Sequence, residues 1–404
     1  MKVTAVETIR LDEFPNLLWL QIYSDQGLTG LGETFFGAGA VEAQVHDFIA
    51  PYLLEKNPLE IERHAEHLVG YVGKGGSGVE MRAASAVDIA LWDLWGQATG
   101  QSICQLLGGA SRDSIRVYNT CAGARYVRNT AAVKTADFGL SAGQRAAGQR
   151  DGPYEDLVAF LNRPDELAQS LLEMGITGMK IWPFDFAAEA AGAQHISNAD
   201  LAKAIEPFAR IRAALGGKMD VMAELHALWN LPTAQRIARA LEPFELMWIE
   251  DPVRMDHLGS LAEVAAGTST PIAVGETLGG TGQYRGLLEL EAAAVVIMDL
   301  VWGGGLTEAR KVAAMCEAWH VAFAAHDCTG PVALTASVHL ALAAPNVFIQ
   351  EIVRAFYYGW YGDLVTGLPP LEDGRIRAPE GPGLGTRLNP DVPRRPDAHI
   401  RRSP

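Results

Sequence analysis

The sequence predicts an α/β protein in which a (β/α)₈ barrel follows a small α+β module. Eight short apolar segments alternate with helical patterns between residues 115 and 351. Strands separated by helices indicate a parallel sheet, and eight such units match a closed barrel. In the first hundred residues the strands come first and the helices follow, which is typical of an α+β module.

The composition excludes several classes of protein. The 404 residues are 49% hydrophobic and 20% charged, so the chain can bury enough apolar surface to fold. The net charge of −15 argues against binding to nucleic acid or to an anionic membrane, because phosphate binding needs clustered Lys and Arg. The sequence has no transmembrane run of about 18 apolar residues, no signal-peptide core and no paired cysteine spacing. We therefore expect a cytoplasmic protein.

The N-terminal module is predicted as residues 1–114. Its strands are expected at 3–9, 17–23 and 30–33, and its helices at 40–55, 58–70 and 79–98. The last helix has apolar residues at helical spacing and ends near Gly100. GKGGSG (73–78) fits a dinucleotide-binding pattern, but no convincing strand precedes it, so we expect an ordinary loop.

The barrel is predicted as residues 115–355. Its strands are expected at 115–119, 178–182, 220–225, 245–250, 272–276, 294–299, 321–326 and 347–351. The Gly/Ala-rich segment 123–153 is too long for an ordinary connection and is interpreted as a functional cover or a disordered segment. Residues 356–404 are expected to return to the N-terminal module and to end in a flexible basic tail.

Six of the predicted strands end in a polar residue, and reactive groups of such barrels lie at the C-terminal ends of strands. These residues follow one another at intervals of 23 to 27 positions: Glu224, Glu250, Glu276, Asp299, His326 and Glu351. The three glutamates would repel one another unless a cation neutralised them. Because their oxygens are hard ligands, we expect them to bind Mg²⁺, with Mn²⁺ as the alternative. Separate capping or salt-bridged acids are the other interpretation.

Two histidines are candidates for proton transfer. His326 and Asp299 end adjacent strands, where the carboxylate would fix the imidazole tautomer and make a general base. His226 lies two residues after Glu224, so strand alternation would point both side chains the same way.

Other polar residues of the predicted rim have weaker signals. Glu351 could donate a hydrogen bond or a proton. Lys180, near the end of the second strand, could bind a substrate carboxylate, accept a proton or pair with an acid. Asn119, Arg125 and Tyr126 are candidate substrate contacts from their position after the first strand.

Together these groups predict one class of reaction. Mg²⁺ would hold a substrate carboxylate and stabilise the enediolate that forms when His326 takes the α-proton. The intermediate would then expel a β-hydroxyl or be reprotonated.

The order of strand-end residues resembles the mandelate racemase branch of the enolase superfamily. The segments ASAVDIALWDLWGQ (84–97), WGGGLTEARK (302–311) and PGLG (382–385) are similar to that branch as well. The resemblance implies a modified (β/α)₈ TIM-type barrel with an N-terminal α+β capping domain, whose segments 14–18 and 33–39 would close the site. It also implies a homo-oligomer.

Within that branch, the sequence resembles the galactonate dehydratase-like members. Trp182 replaces the second lysine of the Lys-x-Lys element of the racemases, whereas Glu224–Leu225–His226 is similar to the acid-x-His element of the dehydratases. The resemblance implies a sugar-acid dehydratase that yields a 2-keto-3-deoxy acid, with His326 as base and His226 as general acid. A racemase or epimerase of an α-hydroxy acid is the nearest alternative, and a non-catalytic metabolite-binding protein is another.

Overall fold

The computed structural model describes residues 1–69, 76–128 and 152–404. Most of the segment 123–153 and the first half of GKGGSG fall outside these ranges. The interpretations of those two stretches as a cover and as a loop therefore lie outside the described residues.

The N-terminal domain is an antiparallel sheet packed on one long helix. Its elements are β1 (Val3–Leu11), β2 (Phe14–Ser24), β3 (Thr29–Phe35), α1 (Ala38–Gln44), α2 (Ala50–Leu53), α3 (Ile61–Val69), α4 (Val79–Thr99) and α5 (Ile103–Leu106). Helix α4 is buried along most of its length between this sheet and the barrel. Gly30 and Gly32 of β3 allow its close approach, because a Cβ at either position would overlap backbone oxygens of α4.

Eight parallel strands form the barrel, as predicted. They are β4 (Ile115–Thr120), β5 (Gly178–Ile181), β6 (Asp220–Glu224), β7 (Trp248–Glu250), β8 (Ile272–Val274), β9 (Val295–Met298), β10 (Ala322–Ala325) and β11 (Gln350–Ile352). Each strand from β4 to β9 pairs with the next, and β11 pairs with β4. A bridge between Phe323 and Val347 closes the ring. The interior is a separate core cluster that includes Tyr118, Met222 and Trp248.

Helices cover the outside of this ring. They are α6 (Asp156–Asn162), α7 (Pro164–Leu172), α8 (Asp185–Ala190), α9 (Asn198–Leu215), α10 (Leu231–Leu241), α11 (Leu258–Ala266), α12 (Thr281–Glu289), α13 (Leu300–Gly303), α14 (Gly305–Ala318) and α15 (Pro331–Ala343). Among the described residues, no helix has both the length and the apolar character needed to span a membrane.

The C-terminal segment contacts both domains. Its elements are α16 (Arg354–Phe356), α17 (Gly362–Leu364), β12 (Val365–Thr366), β13 (Leu371–Glu372), β14 (Arg375–Ile376), β15 (Arg387–Leu388) and β16 (Ala398–Ser403). Strand β14 pairs with the start of β4, and β16 pairs with β1 of the capping sheet. The prediction of a flexible basic tail is therefore wrong: the strand fixes the backbone, and Arg401 and Arg402 form ion pairs with Asp47 and Glu7.

Candidate active site

A cavity of about 1010 Å³ lies between the C-terminal ends of the barrel strands and the capping domain. The capping domain contributes residues from both segments expected to close the site, including Asn16 and Phe36. The barrel contributes most of the strand-end residues singled out above. The cavity is of the size that small-molecule sites usually have.

The three predicted metal ligands lie close together, and two of them, Glu224 and Glu276, line this cavity. Glu224 and Glu250 are the last residues of β6 and β7 and stand side by side in the sheet. Glu276 follows two residues after the end of β8, beyond Gly275, whose φ of +124° turns the chain. One carboxylate oxygen from each glutamate lies within 4.8 Å of the other two. The structure thus brings together the groups that the sequence predicted.

Lys180 lies against these carboxylates. Its Nζ is 2.5 Å from Glu250 Oε1, 3.0 Å from Glu351 Oε1 and 3.2 Å from Glu224 Oε2. Burial alone would lower the pKa of this ammonium, but the surrounding carboxylates outweigh it and raise the pKa well above its usual value. Of the three interpretations of Lys180, this arrangement favours pairing with acids over proton transfer.

One lysine does not balance the charge of the glutamates. Burial, followed by repulsion from Glu224, raises the pKa of Glu250 well above its usual value, and burial also raises the pKa of Glu276. Burial opposes the ionisation of Glu224 too, but Lys180 and His226 outweigh it and lower its pKa to about 2.

The donor set fits a divalent cation. Oxygens that bind one Mg²⁺ at about 2.1 Å lie at most about 4.2 Å apart, so the observed separations need only a small contraction. Glu224, Glu250 and Glu276 would hold such an ion, and its charge would offset the repulsion among them.

His326 and Asp299 form the predicted pair. His326 Nδ1 donates to Asp299 Oδ2 at 2.7 Å, and the other oxygen of Asp299 accepts the backbone N–H groups of Val301 and Trp302. The aspartate is therefore locked at the N-terminus of α13, and the imidazole presents Nε2, 3.2 Å from Glu276 Oε2. Burial would lower the pKa of His326, but Glu276, Glu351 and Asp299 raise it well above its usual value.

His226 reaches the cavity by a different route from the one expected. Strand β6 ends at Glu224, and His226 lies beyond it with a φ of +50°, in the left-handed region. The expectation of simple strand alternation is therefore wrong, although the side chain lines the cavity. Its Nδ1 donates to Asp185 Oδ2 at 2.7 Å. Burial would lower the pKa of His226, but the Asp185 and Glu224 carboxylates raise it to about 9.

Glu351 lies in the middle of β11 and accepts hydrogen bonds. Thr120 Oγ1 donates to one oxygen and the Asp327 backbone N–H to the other. Burial opposes its ionisation, but Lys180 and His326 outweigh this and lower its pKa. Glu351 therefore acts as an acceptor in this arrangement, and its role as a donor stays a prediction.

Trp182 and Tyr126 form the wall beside His226. The Trp182 ring centre is 5.8 Å from that of His226 and 5.7 Å from that of Tyr126. Both rings line the cavity. Asn119 does not reach the cavity, because its side chain is buried against Asp156.

The sequence interpretation missed Asp185 and Arg82. Asp185 begins α8 just after β5, so its position beyond a strand end was an available signal. Arg82 is in the first turn of α4, on the other domain, and no local pattern connects it to the barrel.

Comparisons with known proteins all point to the enolase superfamily. Residues 164–392 match the enolase C-terminal domain-like family, and residues 3–108 match the N-terminal domain of mandelate racemase and muconate lactonizing enzyme. A D-galactonate dehydratase of Ralstonia nicotianae is 32% identical over 96% of this chain and 92% of its own, and a D-xylonate dehydratase of Haloferax volcanii is 30% identical over 97% and 88%. A crystal structure of an enolase of the mandelate racemase subgroup from Agrobacterium tumefaciens is 49% identical, with a TM-score of 0.87 over 100% of this chain and 99% of that one.

Proposed function

The chain belongs to the mandelate racemase and muconate lactonizing enzyme branch of the enolase superfamily, and from this premise we propose that it dehydrates a sugar acid. The observation that carries the proposal is a pair of histidine–aspartate dyads beside one carboxylate cluster. His326 follows the seventh barrel strand and its partner Asp299 the sixth, whereas His226 follows the third and its partner Asp185 the second. The two dyads therefore approach one cavity from opposite sides of the barrel. The named dehydratases among the relatives support the same reaction.

The proposed reaction begins at the carbon next to the substrate carboxylate. A divalent cation, Mg²⁺ or Mn²⁺, held by Glu224, Glu250 and Glu276 would supply positive charge to that carboxylate and offset the carboxylate charge near His326. His326 Nε2 takes the α-proton, and Asp299 stabilises the imidazolium that forms.

His226 completes the elimination. Because its Nδ1 is held by Asp185, Nε2 is the nitrogen left to face a ligand. It delivers a proton to the β-hydroxyl as the carbon–oxygen bond breaks, so that water leaves. The resulting enol takes a proton at the β-carbon and loses its hydroxyl proton, which gives a 2-keto-3-deoxy acid.

Histidine variants test this division of work. We expect His326→Asn to lose turnover by about 10²-fold or more, because it removes the base. His226→Asn should lose a similar amount of 2-keto acid formation while still exchanging the α-proton with deuterium in D₂O. The assays are 2-keto acid detection and mass spectrometry of recovered substrate, with a panel of sugar acids and Mg²⁺. Full turnover in either variant would refute the assignment.

The same experiment separates dehydration from racemisation. Two histidines on opposite sides of a cavity also suit an epimerase, in which one removes the α-proton and the other returns it. Inverted, deuterated product without 2-keto acid would favour that alternative.

Metal binding has a readout that does not depend on activity. A ligand that binds only the folded state stabilises it by about 2.7 kcal/mol at 100 times its Kd. We expect Mg²⁺ to raise the Tm of the wild type, and Glu250→Gln to need at least about 100-fold more Mg²⁺ for the same rise. Glu263→Gln, at an exposed position of α11, is the control. An equal response of all three proteins would contradict the metal site.

A small-molecule carboxylate is the proposed partner, and light scattering at the monomer mass would refute the predicted homo-oligomer.

A further inference from the structure

Arg82 differs from the other basic residues of the cavity. Lys180, His226 and His326 each contact a carboxylate. Arg82 also lines the cavity, but within the described ranges its guanidinium has neither an ion pair nor a hydrogen-bond acceptor, and its Nε is buried without a partner. A desolvated guanidinium without an acceptor is costly, so its presence at this position needs an explanation.

Two aromatic rings hold this guanidinium in place. Its central carbon is 5.1 Å from the ring centre of Phe36, on the capping domain, and 5.5 Å from that of Trp302, on the barrel. The two rings are themselves 5.2 Å apart. Phe36 has a φ of +72°, a strained conformation for a bulky residue, and such strain is concentrated at ligand sites. These contacts therefore orient the planar guanidinium. They leave its N–H groups available to donate hydrogen bonds to a ligand.

Trp302 relates the position of Arg82 to that of the proposed base. Trp302 contacts both groups: its ring centre is 5.0 Å from that of His326 and 5.5 Å from the guanidinium. Arg82 and the proposed base thus contact the same indole ring. By contrast, the acidic residues Asp185 and Glu189 of α8 line the cavity on the side of His226.

We propose that Arg82 binds a second carboxylate, at the far end of the substrate, so that the preferred substrate is a sugar diacid. This inference rests on the proposed function. A guanidinium matches a carboxylate with two parallel hydrogen bonds, which a lysine cannot reproduce. The second carboxylate would supply the acceptor that Arg82 lacks among the described residues, whereas the terminal hydroxyl of a monoacid would leave the charge unpaired.

Matched substrates and matched variants test this proposal. The substrates are five- and six-carbon sugar diacids, the monoacids of the same configuration, and monoacids phosphorylated at the terminal hydroxyl. The variants are Arg82→Met and Arg82→Lys, with Arg63→Met, an exposed arginine of α3, as the control. Values of kcat/KM are measured with Mg²⁺, and Kd values are measured by calorimetry in the His326→Asn background.

We expect the wild type and Arg63→Met to prefer a diacid over its matched monoacid by about 100-fold in kcat/KM. Arg82→Met should lose about 100-fold on the diacid and less than about 3-fold on the monoacid. Arg82→Lys should restore only part of the loss. An unchanged Tm would verify that Arg82→Lys folds normally. This variant keeps the test valid if Arg82→Met does not fold.

Specific results overturn the inference. The inference fails if the wild type has equal kcat/KM values on diacid and monoacid, or if Arg82→Met loses equal activity on both. Arg82 would then stabilise the fold or tune the pKa of His326 instead of binding a carboxylate. A preference for the phosphorylated monoacid would show that Arg82 binds a terminal phosphate and not a carboxylate. Dehydration without a terminal preference would refute this inference alone. Diacid binding that depends on Arg82, without dehydration, would support it and refute the proposed function.

Discussion

Each active-site histidine depends on a buried aspartate from a different element. Asp299 is fixed by two backbone N–H groups at the N-terminus of α13 and orients His326. Asp185 begins α8 and orients His226, which stands on a strained left-handed turn. In both dyads the histidine Nδ1 is 2.7 Å from the aspartate Oδ2, although the surrounding sequences differ.

The two aspartates are expected to act on different steps. Asp185→Asn should lower 2-keto acid formation by about 10²-fold and leave α-proton exchange nearly unchanged, because it weakens only the proposed acid. Asp299→Asn should lower both, because it weakens the base. Parallel measurement of keto acid and deuterium exchange distinguishes the two. Loss of exchange in Asp185→Asn would contradict separate roles.

At the scale of elements, helix α4 explains why three distant segments of the sequence have recognisable motifs. Ser85 accepts a hydrogen bond from the Gly304 N–H, and Asp88 accepts one from the Thr307 N–H at the start of α14. Asp93 accepts the N–H of Leu384 in PGLG. The motifs in 84–97, 302–311 and 382–385 are thus parts of one interface between the domains.

The glycines of these motifs have a steric reason. Gly305 and Gly383 have φ values of +74° and +68°, and a Cβ at either would overlap the carboxylate of Asp88 or Asp93. Only glycine permits both the left-handed backbone and the close approach.

Asp88 should make the stability of the protein depend on pH. Burial raises its pKa from 3.8 to about 7, so the folded state keeps a proton that the unfolded state releases above pH 3.8. The free energy of unfolding should therefore fall as pH rises from about 4 to about 7, by on the order of 4 kcal/mol from this group. We expect urea midpoints of Asp88→Asn to show a shallower decline over this range.

Asp113→Asn, at an exposed position, is the control and should follow the wild type. Identical pH profiles for the wild type and Asp88→Asn would contradict the prediction.

At the scale of the whole molecule, one buried carboxylate connects the capping sheet to the helix behind the proposed base. Glu33 of β3 accepts hydrogen bonds from the Trp19 indole at 2.8 Å and from the Ala333 N–H of α15 at 2.9 Å. Burial raises its pKa to about 7. Helix α15 begins five residues after His326, so Glu33 joins the capping sheet to the element that follows the proposed base.

Glu33→Gln is expected to destabilise the protein by about 1–3 kcal/mol, since an amide nitrogen would face one of the two N–H donors. The measurement is the Tm, with Glu66→Gln on the exposed face of α3 as control. We also expect kcat to fall more than the affinity for substrate. A Tm equal to that of the wild type would show that the two hydrogen bonds do not contribute.

Local patterns were sufficient for the barrel and for the groups at its strand ends. Hydrophobic periodicity located all eight strands, and parallel pairing places their C-terminal ends at one rim, so Glu224, Glu250 and Glu276 had to converge. The same reasoning applied to His326 and Asp299, which lie on neighbouring strands.

Other contacts join elements that are far apart in the sequence, and hydrophobic periodicity does not predict them. They are known only from the tertiary structure. The pairing of Asp185 with His226, the choice of carboxylates around Lys180 and the pairing of β16 with β1 depend on loops and on domain docking. Arg82 reaches the cavity only because α4 packs against the barrel. The sequence therefore determined the barrel and the chemistry of its rim, because strand alternation is local, whereas packing between the domains decided what surrounds the substrate.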